Sequence, residues 1–152
     1  MDFTISGVTS AVADGLRADI EAGRVPAERR VHEDRGAPCR QCLRVNEPGE
    51  TMLLFTFQPF RGESPYAVPS PVFLHAEPCS TYVGRELPAF VREGGLRAIR
   101  SYDAAHAIHD GEVVPAEKVA STIERLLDDE RAAYVHVHCA VNGCFTFRAD
   151  RA

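Results

Sequence analysis

The chain has 152 residues, 45% hydrophobic and 26% charged, with a formal net charge of −5 and a pI near 5.7. That length and composition suit one globular domain able to bury a core, and they exclude a disordered chain. The acidic balance argues against a general nucleic-acid surface, which needs a basic stripe.

Residues 2–6 read as a short opening strand. Val12, Leu16 and Ile20 then recur at helical spacing, with Thr9 or Ser10 as cap and Gly23 as stop. Residues 27–33 suit a strand of mixed polarity. Arg35-Gly36-Ala37-Pro38-Cys39-Arg40-Gln41-Cys42-Leu43 is a turn-rich entry to a short element, and Pro48-Gly49 is a turn. In residues 51–57, Met52, Leu53, Leu54, Phe55 and Phe57 are apolar on both faces, as in a strand covered on both sides. Residues 58–71 carry Pro59, Pro65, Pro69 and Pro71, a density that prevents ladder bonding and predicts a loop. A second apolar strand is expected at 72–76 and a short helix at 87–93, ended by Gly94-Gly95. An alternating strand rich in arginine follows at 96–103.

Pro115 is placed as the first residue of a helix whose buried stripe is Val119, Ile123, Leu126 and Leu127. Asp128-Asp129 oppose the helix dipole, so that end should fray. Finally, 133–141 and 144–150 flank Asn142-Gly143 as a β-hairpin. A two-residue loop would set Val141 opposite Cys144, Cys139 opposite Thr146 and Val137 opposite Arg148. His136, His138, Phe145 and Phe147 would then share the other face. Together these elements predict an α+β fold. It is a single domain over residues 1–152, with a mostly antiparallel sheet, two or three helices and a C-terminal β-hairpin.

Cys39-x-x-Cys42 and His75-x-x-x-Cys79 bring four ligands of the type zinc prefers in a closed tetrahedral site. The long spacing between the pairs means that zinc would clip two distant segments together. Cys39 and Cys42 alone offer a thiol-redox pair, with Arg40 and Arg44 adding positive charge. Pro48-Gly49 leaves little room for the helix that normally follows such a pair. His136 and His138 point to one side of a strand, as a metal or acid–base pair or as packed rings. Cys139 and Cys144 read as packing residues. Arg92, Arg97 and Arg100 could meet an anion or form a solvated face. The sequence holds no nucleophile elbow and no phosphate-binding glycine loop.

Several stretches occur in a telling order: Pro38-Cys39-Arg40-x-x-Leu43, Gly49-Glu50 before the apolar strand, Ser64-Pro65-Tyr66, Pro71-x-Phe73-x-His75-Ala76 and Gly143-Cys144-Phe145. In that order they resemble the domain-of-unknown-function 1203 family, a group of small bacterial proteins without an assigned activity. The resemblance runs from about Pro38 to the C-terminus. Its pattern has glycine where this chain has Ser70, and asparagine or a similar polar residue where it has Cys139. It also admits serine at Cys42 and a residue other than histidine at His75. That implies no zinc site shared by the whole family, and it leaves open one particular to this chain. The resemblance implies a bacterial setting and no reaction.

The leading expectation is a small module that binds a small molecule or a protein. The loop 58–71, with Phe60 and Tyr66, would wall a pocket, and Arg40, His75, Arg100, His136 and His138 would supply polar contacts. One alternative is a zinc protein using Cys39, Cys42, His75 and Cys79. The other is a thiol enzyme with Cys39 as nucleophile and Cys42 resolving. No apolar run reaches the length of about 18 residues that a membrane helix needs, so neither membrane nor nucleic acid is an expected partner. The start, Met1-Asp2-Phe3-Thr4-Ile5-Ser6, lacks the basic and apolar regions of a secretory signal, and the five cysteines are an odd number. Free thiols in the cytoplasm are therefore expected.

Overall fold

The computed structural model describes residues 2–60 and 63–152. The chain runs β1 (Phe3–Ser6), α1 (Ser10–Glu21), β2 (Ala27–Val31), β3 (Thr51–Phe57), β4 (Ser70–His75) and β5 (Val83–Gly84). It continues through α2 (Ala89–Arg92), β6 (Leu96–Tyr102), β7 (Ile108–Pro115), a 3-10 turn (Ala116–Lys118), α3 (Val119–Asp128), β8 (Tyr134–Cys139) and β9 (Phe145–Arg151). The α+β class, the antiparallel pairing and the closing hairpin are as the sequence predicts. None of these helices is long and apolar enough to cross a membrane.

Six strands form one antiparallel sheet in the order β5-β1-β9-β8-β6-β7, and three form a second in the order β2-β3-β4. The stripe of α3 lies on one face of the larger sheet. Val119, Ile123, Leu126 and Leu127 pack there against Ile99, Val135, Val137 and Phe147, all buried. Each such side chain contributes about 1.5–3 kcal/mol by leaving water. The smaller sheet and α1 enclose a second core that includes Ala13, Met52, Phe55 and Leu74, together with Cys39 and Cys42. β3 is central in its sheet, and its neighbours Met52 and Leu53 are both buried, which places apolar cover on both faces. Thr9 caps α1, its hydroxyl accepting the Val12 N–H at 3.3 Å.

Five details depart from expectation. Val12 lies on the α1 surface at 38% exposure, and Ala13 takes the buried place. Pro71 is paired with Thr56 inside β4, where an edge strand tolerates its missing N–H. The strand β7 has no counterpart in the sequence reading: His109, Asp110, Gly111 and Glu112 hide the period of an exposed edge strand. Pro115 ends that strand, and α3 begins at Val119 after the 3-10 turn.

The fifth departure is the hairpin. Its loop spans 140–143, closed by Gly143 N–H to Cys139 O at 2.8 Å and Cys139 N–H to Cys144 O at 2.9 Å. Gly143 has φ +73° while Asn142 keeps an ordinary φ, so the two-residue turn that needs both in the left-handed region does not form. A bulge between Val137 and His138 then pairs Val137 with Phe147 and His136 with Arg148. Phe147 thereby enters the α3 core, and Arg148 takes the place expected for it beside His136.

Candidate functional site

Residues 38–45 fold into a tight turn. Cys39 N–H donates to Arg44 O and Leu43 N–H to Cys39 O, both at 2.9 Å. Closing it puts Leu43 at φ +55°, a conformation that usually costs a non-glycine residue about 1–2 kcal/mol. The Leu43 side chain is 3% exposed in the α3 core, and that burial holds the turn in place. The turn is bonded on three sides. Arg40 N–H donates to Phe73 O of β4, Val8 N–H to Arg40 O, and Tyr82 N–H to Gln41 O. Gly7 passes so close that a Cβ there would overlap Gln41 O.

This packing brings four donors together. Cys39 and Cys42 come from the turn, His75 from the end of β4, and Cys79 from the loop before β5. Their ligand atoms all lie within 4.8 Å of one another. Cys39 Sγ is 3.7 Å from Cys79 Sγ, and Cys42 Sγ is 3.5 Å from His75 Nδ1. His75 Nε2 faces Glu50 Oε2 at 3.4 Å. Arg17 reaches in from α1, with Nη2 3.7 Å from Cys79 Sγ, 2.8 Å from Gln41 Oε1, and Nε donating to His75 O at 2.9 Å.

The groups titrate together. A hydrogen bond from the Cys42 thiol holds Cys39 well below the usual thiol range, against the cost of its burial. The same bond pushes Cys42 up, and burial pushes Cys79 up. The Cys39 sulfur raises His75. This cluster could hold a metal ion.

The profile of the family described as "Protein of unknown function (DUF1203)" matches residues 36–151 of the 152. The chain belongs to this family. No curated protein and no solved structure matches it. In this DUF1203 chain the match takes in the whole thiol turn, His75 and Cys79.

A cavity of about 450 Å³ lies near the turn. Its walls are the end of β1 with the start of α1, residues 57–60, and an aromatic face built on β8 and β9. Of the residues expected to line a pocket, His136 does so, as does Phe60 from the proline-rich loop. Residues 61 and 62 of that loop lie outside the described residues. The other expected residues lie elsewhere. Tyr66 is away from the cavity at 42% exposure. Arg40 is a buried bracket, with Nε donating to Phe145 O and Nη1 to Pro38 O at 2.7 Å. His75 belongs to the thiol cluster. Arg100 sits across from His136 on β6, and Arg97, on the opposite face, is turned to Phe90 O at 3.1 Å, so the two do not share an anion. His138 is buried, with Nδ1 3.3 Å from Gly143 O and Nε2 without a partner among the described residues.

Burial, with His138, Arg148, His106 and Arg100 adding to it, holds His136 well below the usual histidine range. The cavity also gains two residues that the sequence did not single out. His106 is a loop residue whose Nδ1 is 2.7 Å from the Tyr134 hydroxyl. Arg148 lies over the Tyr134 ring, 4.1 Å from its centroid. The bulge that moves Arg148 left no mark in the residue pattern, and a lone loop histidine has no period to betray it. Around the thiols, Glu50 and Arg17 were likewise invisible as partners, since each comes from another element.

Proposed function

We propose that Cys39, Cys42, His75 and Cys79 hold one zinc ion in a closed structural site, and that this chain is a zinc-clamped module. The observation that carries the reading is the spacing of the donor atoms. Zinc bonds of about 2.3 Å to sulfur and 2.0–2.1 Å to nitrogen put tetrahedral edges at about 3.8 Å for sulfur–sulfur and about 3.6 Å for sulfur–nitrogen. Cys39 Sγ and Cys79 Sγ stand 3.7 Å apart, and Cys42 Sγ and His75 Nδ1 3.5 Å apart. Four protein ligands leave no position for water, which favours a structural role over hydrolysis. Three thiolates and one zinc leave one net negative charge, and Arg17 is placed to offset it. Glu50 supports the imidazole from its far nitrogen, as a carboxylate commonly does behind a metal-bound histidine.

The clip joins the two sheets. His75 ends the smaller sheet, and the turn is bonded to Val8 beyond β1 and to Tyr82 just before β5. Thiol–disulfide exchange is served less well by this arrangement, because an attacking thiol needs access and Cys39 is 0% and Cys42 6% exposed.

Elemental analysis of protein purified without added chelator should give one zinc per chain. Replacement by cobalt should give the visible absorption of a tetrahedral, thiolate-bound ion. A small fraction of an equivalent, persisting after refolding with zinc, would overturn the reading.

A further inference from the structure

We propose that the cavity between the start of α1 and the β8–β9 face binds a small planar aromatic carboxylate. Its volume of about 450 Å³ lies within the roughly 300–1,000 Å³ usual for small-molecule sites. Three features define the occupant.

The walls are rings. Phe60 and Phe145 meet His136 edge-on, with centroids 5.1 and 5.0 Å away, and Tyr134 stands 4.9 Å from it. Such walls favour a flat aromatic guest that can join the same edge and face contacts.

The second feature is charge. Among the described lining residues Arg148 is the one arginine or lysine, and no carboxylate is present. Asp150 occupies the Nε and Nη2 edge of its guanidinium at 2.5–3.0 Å. Nη1 has no protein partner among the described residues, and the guanidinium carbon sits 4.1 Å from the Tyr134 ring centroid. Thr9 and Val12 bring the amino end of α1, a helix of 12 residues, to the same rim. That end carries the positive pole of the helix dipole and adds to the preference for an anion.

The third feature is an unused polar atom. His136 is 2% exposed, lines the cavity, and has an Nδ1 with no partner among the described residues. A buried nitrogen of this kind costs free energy until something bonds to it. A guest that stacks in the ring wall with its carboxylate toward Arg148 lies beside this imidazole.

The test titrates the purified protein with 2-naphthoate and with neutral 2-naphthamide, following histidine and tyrosine ring signals by NMR. Naphthoate should move His106, Tyr134 and His136 saturably and leave His109 in place. It should bind about fivefold tighter than the amide, the yield of one partly screened charge-assisted hydrogen bond. Arg148→Gln should bring the two affinities together. Asp150→Asn, which frees the guanidinium, should tighten naphthoate and leave the amide unchanged. Val12→Trp, on an exposed helix position, should fill the mouth and abolish both, and it does not disturb the buried rings. Zinc content should be the same in every variant, so the outcome is independent of the metal reading. Absence of saturable shifts, a carboxylate preference that survives Arg148→Gln, or undiminished binding in Val12→Trp would each overturn the proposal.

Discussion

If Cys39, Cys42, His75 and Cys79 hold zinc as proposed, removing the ion should lower the melting temperature by about 10 °C. An ion that binds the folded chain and not the unfolded one, supplied at about 1,000 times its dissociation constant, adds about 4 kcal/mol. In a chain of this size each kcal/mol moves the melting temperature by about 2–4 °C, giving a drop of about 8–16 °C. Differential scanning calorimetry of zinc-loaded protein, with and without excess EDTA, measures it. Cys42→Ser should reproduce the drop and remove any further response to EDTA. Cys144→Ser, on the C-terminal hairpin, should keep the full response. A fall of less than about 3 °C with zinc demonstrably released would refute the idea that the ion stabilises the folded chain, since that is well under the binding figure. So would an EDTA response that persists in Cys42→Ser.

Three further outcomes follow. Gly7→Ala should destabilise by several kcal/mol in urea unfolding and weaken zinc retention, because the new methyl meets Arg40 O at 2.9 Å and Gln41 O closer still; near-wild-type behaviour would show that the turn can retreat. Leu43→Gly should cost less than Leu43→Ala by about 1 kcal/mol, since both lose the buried side chain and glycine alone escapes the left-handed penalty; the reverse order would mean that backbone strain is not what Leu43 carries. Burial first, then Arg100 and Arg40, holds His138 down to about 4, against about 6.5 in an unfolded chain. Between those values the unfolded state takes up the proton and the folded state does not, so this site lowers stability by about 3 kcal/mol as pH falls from about 6.5 to 4, and has no effect above that window; ring NMR showing His138 protonated in folded protein at pH 6 would contradict it.

Much of this fold can be read from residue periodicity. The stripe Val119, Ile123, Leu126 and Leu127 and the apolar run 51–57 are patterns that burial imposes directly on a helix and a strand. An edge strand such as β7 buries almost nothing, so nothing constrains its pattern. The hairpin was recognisable from Asn142-Gly143, but its register depended on Asn142 keeping an ordinary φ, which composition does not determine. The four zinc-type donors could be picked out as residue types. Their convergence depended on the contact of the turn with Phe73 and with Val8, both of them tertiary. Cys139 and Cys144, chemically identical to the others, are partly buried on the hairpin and apart from the cluster. Of the residues expected around a pocket, His136 and the start of the 58–71 loop line the cavity, while Arg148 reached it by way of the bulge.

The turn at 38–45 sends Leu43 into one core and Cys39 and Cys42 into the other. The four donors can therefore meet only after both cores have assembled, and they part as soon as either core opens. If the cluster holds zinc as proposed, its release then becomes a clock for that opening. Transfer of the ion to a competing chelator should reach a rate that no longer rises with chelator concentration, and that plateau measures how often the junction between the two sheets comes apart.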